Sequence, residues 1–236
     1  MPLGDSLTLG SMDQRGYSDS YRKALWQFLQ KRNFRHIDFV GNREDDDGTF
    51  DGNHSGWGGF KSQSDTPVPS GTDPGTLYAY IEKYIPQPFT LNDGTGMDWV
   101  TFANPDIVLL NIGTNDGDSD SDVISHRLRL LVDVILAKAP TARVILSSLP
   151  PSGGNIAITP LVGVEARKLA LASGGRIFYA DIRTRMLRGN ASLGAAPFAQ
   201  SDWREDLTHL SQSGGPKFAA AWLPTVEAAL KAPRCA

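Results

Sequence analysis

Four short stretches of this 236-residue chain contain side chains suited to acyl-transfer chemistry. Ser6 offers a hydroxyl nucleophile, His209 an imidazole base, and Asp206 a carboxylate that could orient the base. Gly56 and Asn115 add a backbone N–H and a carboxamide NH₂, which are the kinds of donor that stabilise an oxyanion. Each stretch by itself is also typical of an ordinary turn. Their number and order along the chain make this chemistry the favoured interpretation.

The nucleophile stretch, Gly4-Asp5-Ser6, comes directly after a predicted strand and before a predicted helix. A hydroxyl there is exposed at the sheet edge and near a helix N-terminus, where developing negative charge is favoured. The alternative is a simple turn, because all three residues are common in turns. Position 8 is Thr, so the stretch is not the Gly-x-Ser-x-Gly elbow of α/β-hydrolases.

The spacing between Asp206 and His209 brings a carboxylate within reach of the imidazole Nδ1 in a turn or loose helical loop. The other ring nitrogen is then available to take a proton from Ser6. A surface aspartate beside a structural histidine is the alternative, and this pair taken alone favours it.

The remaining histidines are weaker candidates for the base. His126 falls on a predicted helix with a solvated pattern around it, and His36 precedes a predicted strand and is expected to be structural. His54 lies beside the second stretch and remains a minor rival base.

Two further stretches could supply oxyanion donors. Asn115 follows the most apolar predicted strand, where site loops of parallel sheets form, although a strand-ending turn would use the same residue types. Gly56 is placed in a loop after the second predicted strand, where a glycine N–H can approach a substrate closely. Loop flexibility alone would also explain that glycine.

Three more residues next to these motifs could contact substrate: Asp5, Trp57 and Trp203. The two tryptophans could stack on sugar rings or serve only as packing residues. The acidic run Glu44–Asp47, with Asp51 and Asn53, does not have the EF-hand pattern and is predicted to be a solvated loop.

The elements that would position these residues alternate between strand and helix, which predicts an α/β fold with a parallel sheet. The predicted strands end near Leu3 and then cover Ile37–Val40, Asp106–Ile112, Arg143–Leu149 and Arg176–Ala180. The predicted helices begin at Ser18–Ser20, Tyr78, Ser121, Thr159 and Gly215, and the last contains Pro224, which predicts a kink or break. Residues 43–75 are predicted to be one long loop.

The composition is that of a globular protein, with 40% hydrophobic and 21% charged residues. A net charge of −3 offers no basic face for nucleic acid or an anionic membrane, and no apolar run is long enough to span a bilayer. The lone cysteine, Cys235, excludes an internal disulfide. No signal peptide is recognised, and the abrupt start at Met1 suggests upstream trimming.

The order nucleophile, glycine, asparagine and Asp-x-x-His resembles the SGNH/GDSL hydrolase family from Gly4 to about Leu210. Met1–Thr8, His54-Ser55-Gly56-Trp57 and Ile112–Asp116 look like the branch containing acetyl xylan esterases. The chain differs from that branch in a longer stretch, at about 61–102, which we interpret as an insertion in a single domain. It also has Thr208 and Leu210 on either side of His209, at positions where that branch commonly has other residues.

The resemblance implies a flavodoxin-like three-layer α/β/α sandwich with five parallel strands. It implies Ser6 as nucleophile, Asp206 and His209 as its partners, and an oxyanion hole made by Ser6, Gly56 and Asn115. The implied activity is hydrolysis of short, mainly acetyl, esters on carbohydrate without cofactor or metal, with a leaning towards secretion. Two alternatives stay open: a lipase, thioesterase or arylesterase of this family, and a non-catalytic carbohydrate-binding protein on the same fold.

Overall fold

The fold is known from a computed structural model that describes residues 1–10, 12–13, 16–17, 20–45, 48–63, 75–85, 90–117, 120–151 and 158–233. Eight strands are assigned within these ranges: β1 Pro2–Gly4, β2 Met12–Asp13, β3 Gly16–Tyr17, β4 Arg43–Glu44, β5 Asn53–Gly56, β6 Ile107–Asn111, β7 Arg143–Ser147 and β8 Ile177–Ala180. The helices assigned there are α1 Ser6–Leu9, α2 Arg22–Lys31, α3 Leu77–Glu82, α4 Trp99–Ala103, α5 Ser121–Lys138, α6 Ile158–Ala172, α7 Ile182–Arg188 and α8 Gly214–Lys231.

The main sheet has six strands in the order β4-β5-β1-β6-β7-β8. Five neighbouring strands in this order, β5, β1, β6, β7 and β8, are parallel. At one edge, β4 pairs with β5 in the antiparallel direction. β2 and β3 form a separate antiparallel pair. The predicted five-stranded parallel sheet is confirmed, with one short antiparallel strand added.

Alternating residues of the central strands point into two separate cores, one on each face of the sheet. Leu110 and Leu146 belong to a core completed by α3, α4, α5 and α6. Leu109 and Ile145 belong to the opposite core, completed by α1, α2, α7 and α8. A strand that is apolar on both faces needs helices on both sides, which explains the three-layer α/β/α arrangement.

The second predicted strand is wrong. Residues 37–40 belong to no assigned strand, because the Phe39 N–H donates to the Asp51 carboxylate and the Phe39 ring packs in the α2/α8 core. The strand that takes this place in the sheet is β5, within the stretch predicted to be a loop. Its sequence, Asn-His-Ser-Gly, has no apolar alternation that would have revealed it.

Helix predictions hold better than the predicted caps. α5 is capped by Asp120 rather than Ser121, and α2 begins after Tyr21. α8 includes Pro224 within one continuous helix, so the predicted break does not occur. α3 and most of α4 lie in the stretch at about 61–102. The interpretation of this stretch as an insertion remains a prediction. None of the helices in the described ranges is long and apolar enough to cross a membrane.

The central strand β6 gives a direct test of the fold. Leu110 is 1% exposed and lies opposite both Leu3 and Leu146, so Leu110→Ala should lower the free energy of unfolding by about 2–5 kcal/mol through lost burial and a cavity. Urea denaturation measures the loss. The matched control is Leu187→Ala on α7, where the side chain is 50% exposed and the change should stay below about 1 kcal/mol. Equal losses at both positions would contradict the burial of Leu110 in the central sheet.

Candidate active site

Three parallel strands bring the nucleophile and both predicted oxyanion donors to one edge of the sheet. β1 is the central strand of the three, pairing with β5 on one side and β6 on the other, with Gly4 opposite both Gly56 and Asn111. Ser6 follows β1 after one residue, Gly56 ends β5, and Asn115 lies four residues beyond β6. Carboxyl ends of adjacent parallel strands lie side by side, so this edge is where a site can form.

Ser6 is the first residue of α1, and the preceding Asp5 caps that helix. The Asp5 carboxylate accepts a 3.0 Å hydrogen bond from the Leu7 N–H, while the Asp5 carbonyl accepts from Thr8 and Leu9. Ser6 itself retains 9% exposure. The cap holds the first turn in place and so sets the position of the hydroxyl.

Asp5 is fully buried, which gives it a structural role instead of the substrate contact that its position in the sequence suggested. Burial is the main cause that raises the pKa of Asp5, to about 7, and the charge of Asp116 acts in the same direction. Hydrogen bonds from Leu7 and Thr114 favour the ionised form but do not outweigh burial. The carboxyl group that caps α1, the helix carrying Ser6, therefore has a pKa near neutrality.

Asn115 is oriented by the segment that follows β5. Its Nδ2 donates to the Phe60 carbonyl at 3.0 Å. Next to it, the Asp116 carboxylate accepts from both the N–H, at 2.7 Å, and the hydroxyl of Ser62. A carboxamide has two N–H donors, so one remains for a substrate oxygen while the other anchors the side chain.

Gly56 lies against α1 so closely that a Cβ would overlap the backbone of Thr8 and Leu9. Its N–H donates to His54 Nδ1 at 2.9 Å. The predicted oxyanion donor is therefore already directed towards a side chain, and it can serve an oxyanion only as a shared donor. That contact was not visible in the sequence.

Asp206 and His209 form the predicted pair, with the carboxylate Oδ2 2.8 Å from the imidazole Nδ1. The other carboxylate oxygen accepts 2.9 Å hydrogen bonds from the N–H groups of Thr208 and His209. Leu207, between them, has a φ of 52°, a left-handed conformation that curls the turn back on itself. This strained residue is a feature that the sequence reasoning missed.

The charge of Asp206 is well supported in this turn. Partial burial raises its pKa, but hydrogen bonds from the His209 N–H, the His209 ring and the Thr208 N–H outweigh burial and lower the pKa to about 2. A permanent carboxylate at Nδ1 keeps the His209 proton on that nitrogen. The Nε2 atom is then the basic one.

Contacts near the nucleophile also bring the two ends of the chain together. The Ser20 hydroxyl donates to the Leu7 carbonyl in α1, and a Cβ at Gly215 in α8 would overlap the Ser20 carbonyl. Leu7 and Leu210 belong to the same buried cluster. The segment that ends at His209 and the first turn of α8 therefore pack on the same side of the sheet as α1.

The rival base, His54, has no exposed surface, and both of its ring nitrogens are engaged. Burial and the charges of Arg22 and Arg43 lower the pKa of His54 to about 3. The side chain of its partner Asp45 is only 6% exposed, so the predicted solvated loop is wrong at this residue. Glu44 is exposed, and Asp46 and Asp47 lie outside the described residues. The described residues contain no cluster suited to a metal ion.

The structure favours packing roles for both tryptophans. Trp57 stacks on Phe60 and Trp99 at centroid distances of 5.7 and 5.5 Å, and the Arg43 guanidinium lies 4.7 Å from the Trp57 ring. Trp203 is 8% exposed and donates from Nε1 to the Pro151 carbonyl at 3.1 Å.

Comparison with known proteins identifies similar sequences and folds. A multidomain esterase from Ruminococcus flavefaciens is 31% identical over 98% of this chain, which spans only 29% of that protein's length. The family 3 carbohydrate esterase of Clostridium thermocellum superposes with a TM-score of 0.70 at 23% identity, covering 98% of this chain and 96% of that one. The family 3 enzyme of Talaromyces cellulolyticus gives 0.67 at 20% identity, covering 99% and 98%. No family model matches the chain.

The two solved structures confirm the fold that the resemblance to SGNH/GDSL hydrolases implied. All three similar proteins are esterases by name. The contact between Asp206 and His209 supports their pairing, and strand order places Ser6, Gly56 and Asn115 at one edge of the sheet. The catalytic roles of these five residues remain predictions.

The buried Asp5 carboxyl predicts a pH-dependent stability difference. A pKa raised to about 7 in the folded state adds stability that is fully present below the ordinary value of 3.8 and is lost as the pH rises through 7. Asp5→Asn, which lacks this titration, should therefore gain stability relative to wild type between pH 4 and 7, with a slope of at most about 1.4 kcal/mol per pH unit.

Urea denaturation at several pH values measures this difference. The exposed Asp93→Asn is the matched control, with an expected change of less than about 0.5 kcal/mol at each pH. A difference between Asp5→Asn and wild type that stays constant with pH would rule out this titration.

Proposed function

We propose that this chain is a serine esterase that hydrolyses short-chain, mainly acetyl, carboxylic esters on carbohydrate through an acyl-enzyme. The observation that supports it most directly is the 2.8 Å contact between Asp206 and His209, on the side of the sheet where α1 presents Ser6. The fold shared with carbohydrate esterases supports the same conclusion. The carbohydrate substrate is supported by the names of those relatives, and the acetyl preference rests on the resemblance to acetyl xylan esterases described above.

In the proposed reaction, the Ser6 hydroxyl attacks the ester carbonyl while His209 Nε2 takes its proton. The ring donates its Nδ1–H to Asp206, whose carboxylate holds the tautomer and stabilises the imidazolium. His209 then returns the proton to the leaving alcohol. Water attacks the acyl-enzyme with the same base and regenerates the Ser6 hydroxyl.

The oxyanion of each tetrahedral intermediate needs donors that are already oriented. We assign this role to the Ser6 N–H and to the Asn115 carboxamide, which its bond to Phe60 anchors. Gly56 lets α1 approach its strand closely and contributes its own N–H as a donor shared with His54. None of these steps requires a metal or an organic cofactor.

The first prediction of this function concerns the nucleophile. Ser6→Ala should lower turnover of p-nitrophenyl acetate by at least about 10⁴-fold, because the covalent step is lost, while the urea midpoint changes little. A fluorophosphonate probe should label the wild type and fail to label Ser6→Ala. Intact protein mass spectrometry detects the adduct. A wild type that resists the probe and does not hydrolyse the ester would favour a carbohydrate-binding protein instead.

The second prediction concerns the acyl group. The kcat/KM for p-nitrophenyl acetate should exceed that for the eight-carbon ester by about 10-fold or more, because a site shaped for acetyl excludes a longer chain. Acetate release from acetylated xylan, measured beside it, tests the carbohydrate part. The opposite order, with the octanoate ester preferred, would identify a lipase-type enzyme on the same fold.

A further inference from the structure

A second histidine–aspartate pair is buried beneath the site. His54 Nε2 lies 2.6 Å from Asp45 Oδ2, and His54 Nδ1 accepts the Gly56 N–H at 2.9 Å. A nitrogen that accepts a hydrogen bond carries no proton, so the ring is neutral, with its proton on Nε2 and directed at Asp45. The two partners therefore fix both the tautomer and the plane of the ring.

The charge of Asp45 is balanced by a buried arginine that also contacts the nucleophile helix. Arg22 Nη2 lies 3.5 Å from Asp45 Oδ2. The same guanidinium donates to the carbonyls of Thr8, Leu9 and Gly52 at 3.1, 3.0 and 2.7 Å. One network thus holds the end of α1, the residue before β5 and the carboxylate that orients His54.

The Gly56 peptide is the point where this network meets the site. The Trp57 N–H donates to the Gly4 carbonyl at 3.1 Å, two residues before Ser6. On the other side, the Gly56 N–H is bound by His54. The backbone between these two bonds is pressed against α1, where even a methyl group would not fit.

We propose that His54, oriented by Asp45, is a positioning residue for the reaction at Ser6. Its Nδ1 holds the Gly56 amide, and through it the end of β5, at the correct distance from the nucleophile helix. His54 touches no reacting atom in this role. The inference rests on the proposed esterase function and adds to it the group that supports one wall of the oxyanion hole.

Two substitutions separate the two hydrogen bonds of the ring. In His54→Asn the amide oxygen can replace Nδ1 as the acceptor for Gly56, while the contact with Asp45 is lost. In His54→Gln the longer side chain can reach Asp45, while the acceptor for Gly56 is lost. The exposed His126→Gln on α5 is the matched control for histidine replacement.

Turnover is measured per active site, with the fluorophosphonate adduct counting competent molecules. We expect His54→Gln to lower kcat by about 10- to 100-fold with KM changed less than about 3-fold, because a misplaced site wall costs rate rather than substrate binding. His54→Asn should recover at least half of that loss on a logarithmic scale, and His126→Gln should match wild type.

A spectroscopic measurement tests the geometry independently of activity. The ring ¹⁵N shifts of His54 in the wild type should report a neutral ring protonated at Nε2 throughout pH 5–8. An imidazolium signal in that range, or the opposite tautomer, would overturn the proposal.

The outcomes also distinguish this inference from the function on which it rests. An active wild type whose kcat per site is unchanged in His54→Gln would overturn the positioning role alone. Equal losses in His54→Gln and His54→Asn would assign the histidine to general packing. A wild type that neither reacts with the probe nor hydrolyses esters would overturn the proposed function itself.

Discussion

Strand β1 pairs with β5 on one side and with β6 on the other, and these two ladders decide where the candidate catalytic groups lie. Gly4 is opposite Gly56 and Asn111 at the last rung of both ladders. The chain leaves the sheet at that level in all three strands, so Ser6, Gly56 and Asn115 all lie at that edge of the sheet. A slip of one residue in either ladder would turn these groups towards opposite faces.

Two carboxyl groups are buried near that edge, and their surroundings act on them in opposite directions. Asp5 accepts the N–H that caps α1, and its raised pKa reflects the cost of burying its charge. Asp45 is held between Arg22 and His54; burial raises its pKa, but the hydrogen bond from His54 and the charge of Arg22 outweigh burial and lower the pKa. Buried charges of this kind are poor evidence of stability but define a unique geometry. Here the contacts of Arg22, Asp45 and His54 join α1, which carries Ser6, to β5, which ends at Gly56.

The Asp206–His209 pair is built differently, because its geometry is local. Both partners lie in one four-residue turn, closed by two N–H bonds to a single carboxylate oxygen and by the left-handed Leu207. The turn needs the rest of the fold only to bring it to the correct edge of the sheet. Packing of Leu210 and Trp203 into the α8 side of the core provides that connection.

Sequence alone determined the alternation of strands and helices, the parallel strands β6, β7 and β8, and the three-residue spacing that joins Asp206 to His209, because these depend on local periodicity and short separations. It did not find β5, since Asn-His-Ser-Gly has neither apolar alternation nor β-branched residues, and it placed a strand at 37–40, which pairs with no strand among the described residues. Only the tertiary structure decided that Asp5 and Asp45 are buried, that both tryptophans pack inward, and that His54 holds the Gly56 amide. Burial and long-range hydrogen bonds depend on which distant segments meet, and no spacing along the chain specifies that.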